Sequence, residues 1–114
     1  MKIIITESKF ERLALNWLED SFGHMDVVEV PKWPNHIFFM NNGKVMFDYN
    51  KDTSSSLVDK TMGWDFFISV FGLEPREIQH LLKPWIKKKY GLDIGVIMPP
   101  LIHPSRWKFV EGII

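Results

Sequence analysis

The stretch HIFFMNNGKVMFDYN, residues 36–50, decides the architecture. Two apolar, β-forming runs flank Asn42-Gly43. An Asn-Gly pair in that setting suits a two-residue type I′ turn, whose central residues both take a positive φ. A hairpin closed on this pair sets Met40 opposite Val45, Phe38 opposite Phe47 and His36 opposite Tyr49, with Phe39–Met46 and Ile37–Asp48 on the other side. The first face is aromatic and almost wholly apolar, so a helix or a partner chain must cover it. The second face is mixed.

Upstream, Lys2 to Ile5 reads as a short strand, with Thr6 as a helix N-cap, or Ser8 with Glu11 as a capping box two residues later. Phe10, Leu13, Ala14, Trp17, Leu18 and Phe22 recur at helical spacing, which predicts an amphipathic helix over 7–22, closed by a left-handed Gly23. Asp26 to Val30 reads as a strand, and Pro31 and Pro34 make an irregular connection around Trp33. Downstream, residues 51–56 (KDTSSS) read as a polar loop. Leu57 to Thr61 fits a short strand better than the start of a helix. Met62 to Phe71 reads as a buried helix, being apolar nearly all round. After Gly72-Leu73, Pro75 can open a second helix that runs to Tyr90 and stops at Gly91. Pro84 should bend it near His80, and Lys87, Lys88 and Lys89 suit the negative end of its dipole. Leu92–Met98 and Arg106–Val110 look strand-like. The expectation is one α+β domain over 1–114: a mostly antiparallel sheet around the 36–50 hairpin, covered by the N-terminal helix and a helical hairpin at 62–90.

Composition bounds the function. Fourteen basic and fourteen acidic residues cancel, so no whole-chain field points to nucleic acid or membrane. No apolar run is long enough for a bilayer span, and Ile3 to Ile5 are too few for a signal peptide. The absence of Cys excludes disulfides and zinc-thiolate sites and permits a reducing compartment. His24, His36, His80 and His103 have no paired metal-ligand spacing, and His36 reads as a core histidine with its polar atoms satisfied. Asp48, Asn50, Asp52 and Asp59 echo a calcium loop, but Thr53 replaces its turn Gly and Asp59 its bidentate Glu, so a solvated acidic loop is the better reading. No phosphate-binding loop, nucleophile elbow or Cys nucleophile is present. No catalytic residue or cofactor is expected.

Two patterns remain. Phe67, Gly72, Leu73, Ile78 and Leu81 match helix–turn–helix spacing, which would turn Arg76, Gln79, His80 and Lys83 toward a major groove. Against it, Ile68 stands where the helices cross and a small residue is required, and Glu74 and Glu77 would approach phosphates. Lysines and aromatics also interleave from Lys83 to Tyr90 and at Arg106 to Lys108, a weaker single-strand-binding pattern. Five Trp, nine Phe and six Met in 114 residues suggest apolar surface left over for a partner. Trp33, Trp107, Val110, Ile113 and Ile114 are the candidates.

KIIITE at 2–7, WDFFISVFGL at 64–73 and EIQHLLKPWI at 77–86 resemble segments of short marine-phage and marine-metagenome proteins. The resemblance covers about a third of the chain. It implies a virus-derived accessory or structural protein working in a bacterial cytoplasm, and it carries no site residue over. The combined expectation is a non-catalytic, self-associating interaction module, with DNA binding through the 62–90 unit as the alternative.

Overall fold

The computed structural model describes residues 7–100 and 102–113. The predicted strand at 2–5, the Thr6 cap and Ile114 lie outside them. Helix α1 (Glu7–Phe22) buries Ala14, Leu18 and Phe22, while Leu13 of the expected stripe turns to solvent. Gly23 is not left-handed. Its N–H donates to the Glu19 carbonyl at 2.9 Å, and an added Cβ would run into that same oxygen, so close approach explains the glycine.

Five strands follow in a sheet ordered as they occur in the sequence: β1 (Asp26–Val28), β2 (His36–Asn41), β3 (Lys44–Asn50), β4 (Ser55–Val58) and β5 (Val96–Met98). All neighbours pair antiparallel except β4 and β5. The fold is α+β, with the hairpin at its centre. Asn42 and Gly43 have φ of 54° and 78°, as a type I′ turn requires.

The register departs from expectation beyond the first two pairs. Asn41–Lys44 and Met40–Val45 pair as predicted, but Phe39 then lies opposite Phe47, Phe38 opposite Asp48 and Ile37 opposite Tyr49. Met46 is the extra residue of a β-bulge, and its carbonyl accepts the Asp59 N–H at 2.7 Å. Phe39 and Phe47 consequently stack, with centroids 4.1 Å apart. Asp48 moves to the face that holds Phe38.

Both faces of the sheet are covered. On one, Phe39, Met46, Phe47, Val58 and Ile97 pack with Leu18 and Phe22 of α1 and with the helices that follow β4. Those begin with a π-helical segment, Lys60–Trp64, whose entry Asp59 fixes by accepting the Thr61 N–H. Helix α2 (Asp65–Phe71) buries Phe67 but exposes Ile68 and Val70, so the apolar 62–71 run is not buried all round. Helix α3 (Pro75–Tyr90) starts with Pro at its first position and a Glu74 N–H bonded to Glu77, and it runs through Pro84. The expected strand at 57–61 begins earlier and ends at Val58, and that at 92–98 shrinks to Val96–Met98.

On the other face, Val30, Phe38, Met40 and Val45 pack against Trp107 and Val110. Here the strand expected at 106–110 is a helix, α4 (Ser105–Ile113). Trp107 and Val110 stand three residues apart on its inner side, and burying both contributes about 5 kcal/mol of transfer free energy. That is comparable to the net stability of a small domain.

Candidate functional site

Helix α4 is where sequence expectation and structure differ most, and where most of the candidate partner surface lies. It begins after three prolines in six residues keep the chain irregular, and the Pro104 carbonyl accepts the N–H groups of Trp107 and Lys108 at 3.1 and 3.2 Å. Two carboxylates clasp the helix to the sheet. Asp48 of β3, 2% exposed, accepts on Oδ2 from both Arg106 Nε and Trp107 Nε1, each at 2.6 Å. Glu111 accepts the Val45 N–H at 3.0 Å through Oε2 and meets His103 Nε2 at 2.7 Å through Oε1.

His36 borders the clasp. Its Nδ1 lies 3.9 Å from Asp48 Oδ2, too far for a hydrogen bond, and is buried without a partner. The expected satisfied core histidine is thus unsatisfied at that atom. Burial pushes its pKa down, more strongly than the attraction of Asp48 raises it; Arg106 also lowers it and Asp52 raises it. The clasp brings acid, base and cation together, but Asp48 is closed over by Trp107, and its role there is to hold α4.

The proposed partner residues therefore divide. Trp107 and Val110 are fully buried and belong to the core, because the helical turn aims both at the sheet. Trp33 is half-buried, edge-on to Phe109 at 5.0 Å, and Lys32 lies over both rings. Ile113 is exposed, one turn beyond Phe109. Three residues missed at the sequence level join this side of the sheet, Phe109 on α4 and two on β5. Met98 pairs with Leu57, whose side chain belongs to the α4-side core, so Met98 and Val96 point to that face, where they are 54% and 49% exposed. An i, i+3 reading of Trp107 and Val110 would have found α4; nothing in the sequence alone gives the pairing of β5.

The residues proposed to read DNA also divide. Arg76 and His80 are exposed. Gln79 Oε1 instead accepts the Ile97 N–H at 3.4 Å, and Lys83 Nζ donates to the Gly95 carbonyl at 2.6 Å, so both turn to β5. The calcium-like residues do not converge either: Asp48 sits in the clasp, Asn50 caps Asp52 and Thr53, and Asp59 caps Thr61. Among the described residues no group of three His, Cys, Asp or Glu is placed to hold a metal ion, and no helix is long and apolar enough to cross a membrane.

No family model, curated protein or solved structure matches this chain.

Proposed function

We propose that the chain is a non-catalytic interaction module that associates with a second copy of itself through the α4 side of its sheet. The observation that carries this is that exposed apolar side chains lie on that side, Val96 and Met98 on the edge strand and Phe109 and Ile113 on the helix, with Trp33 edge-on to Phe109. Aromatic and Met side chains are typical of the centre of protein interfaces. A formal net charge of zero lets two copies approach without long-range repulsion. The resemblance to marine-phage proteins agrees with a structural or accessory role, and a bacterial cytoplasm is the proposed setting.

Light scattering on a dilution series tests the reading. The expected result is a dimer or larger species that dissociates on dilution, and a monomer for Met98→Lys combined with Phe109→Lys. A wild-type monomer at every concentration, or an unchanged mass for the double variant, overturns it. Deleting the C-terminal residues is not a usable test, since Val110 is core and Glu111 holds the Val45 N–H.

A further inference from the structure

The seam between α1 and α3 lies under the other face of the sheet and holds a cleft of about 430 Å³. Sites that hold small organic ligands span about 300–1,000 Å³. Leu15 of α1 and Pro84 of α3 line it with exposed apolar surface, and Trp85, 7% exposed, adds the small part of its ring that the core leaves open. Pro84 presents its ring where the helix lacks an N–H. Trp85 is fixed in place: its indole N–H donates to Glu19 Oε2 at 3.2 Å, and Tyr90 meets its ring edge-on at 6.1 Å. Tyr90 is itself anchored by a 3.0 Å bond from its hydroxyl to the Phe22 carbonyl. One ring of the cleft wall, Trp85, is therefore braced from behind.

Its charges do not cancel. Lys89 is spent on Glu19, forming an ion pair with Oε1. That pair, more than the bond from Trp85, holds the Glu19 carboxyl below the usual carboxylate range. Lys88 stands on the same wall with no hydrogen bond or ion pair among the described residues. Two ammonium groups thus face one carboxylate, and the spare positive charge sits beside the apolar lining. Asn16 adds an uncharged amide to the α1 wall.

We propose that this cleft binds a small planar aromatic anion, its ring lying on Pro84 and Leu15 against the open part of Trp85 and its acidic group meeting Lys88. The site is on the opposite side of the sheet from α4 and does not depend on self-association.

The test is a titration of the full chain, ¹⁵N-labelled, with 2-naphthoate, followed by ¹H–¹⁵N correlation spectra. The expected result is saturable shifts confined to the Trp85 indole N–H and the amides of Leu15, Asn16 and Lys88. A ligand of this size at ordinary efficiency gives a Kd of about 1 mM. Lys88→Gln, which removes an exposed side chain without fold contacts, should leave the spectrum otherwise intact and weaken binding about 5-fold, the size of an exposed charge contact. The uncharged 2-naphthylmethanol should be weaker by a similar factor. Absence of saturable shifts, shifts centred on Trp33 and Phe109, or equal binding by Lys88→Gln or the alcohol would each overturn the proposal.

Discussion

Asp48 shows how one residue's role depends on the side of the strand it reaches. Buried at 2% exposure, it serves two donors on α4. Asp48→Ala leaves the Trp107 indole N–H and the partly buried Arg106 guanidinium without their acceptor, and should cost about 3 kcal/mol. Asp48→Asn keeps an acceptor oxygen and should cost about half as much. Urea unfolding followed by Trp fluorescence measures both; equal and negligible losses would mean that the clasp does not hold α4. His36 gives a pH dependence of definite sign. Its folded pKa is depressed by burial, so the fold favours the neutral ring. Stability is full above the unfolded value of about 6.5 and falls as pH drops through the folded one. His36→Gln should flatten that part of the profile. The loss tied to Glu19, also depressed, falls in a separate window below about 4.5, where its carboxyl takes up a proton. At this scale the sequence was a poor guide: it assigned Asp48 to the mixed face with Ile37 and His36 to a satisfied core position. His36 keeps its expected face beside Phe38, and only its unpartnered Nδ1 is new; the misplacement of Asp48 traces to one extra residue.

That residue, Met46, belongs to the element scale. The turn was legible because Asn-Gly admits few alternatives, and the first two pairs followed from it. A bulge leaves no comparable mark in the sequence, since Met46 is apolar and fits the core as well as any strand residue would. Deleting Met46 would leave the pairs Met40–Val45, Phe39–Phe47 and Phe38–Asp48 in place without the bulge, and would remove a buried side chain and the carbonyl that accepts the Asp59 N–H. Losing a Met side chain from the core costs about 2–5 kcal/mol, a large part of the stability of a small domain. The expected outcome is a folded variant with a lowered midpoint of thermal unfolding by circular dichroism, whereas loss of cooperative unfolding would show that the bulge itself is required. The helices over 7–22 and 75–90 were legible from their apolar spacing and end signals. Helix α4 was not: Arg-Trp-Lys-Phe-Val is rich in residues that favour strands, and only the sheet's need for cover on its second face selects the helix.

For the whole molecule, the arrangement of layers followed from the hairpin, but the surface did not follow from composition. The abundance of Trp, Phe and Met was read as surplus, yet much of it closes two cores, one on each face. What remains outside is divided between Leu13, Leu15, Ile68 and Val70 on the helices of one face and Val96, Met98, Phe109 and Ile113 on the α4 side, where the proposed association should be apolar in character. Raising salt from about 0.05 to 0.5 M, which shortens screening lengths several-fold, should leave the dimer mass unchanged. Duplex DNA should give no salt-dependent anisotropy change, because only Arg76 and His80 of the four proposed readers face outward. Steep salt-dependent binding would instead restore the nucleic-acid reading. The two that turn inward have a different consequence. Strand β5 closes one margin of the sheet, and a bare margin is a template on which strands of other copies add and fibres grow. Gln79 on the Ile97 N–H and Lys83 on the Gly95 carbonyl occupy that template. Both margins are short, β5 and the opposite margin, β1, having three residues each. Side chains that look from the sequence like a grip on nucleic acid thus cover part of a sheet margin, and a variant lacking both is expected to stay in solution for less time, which turbidity over days would measure.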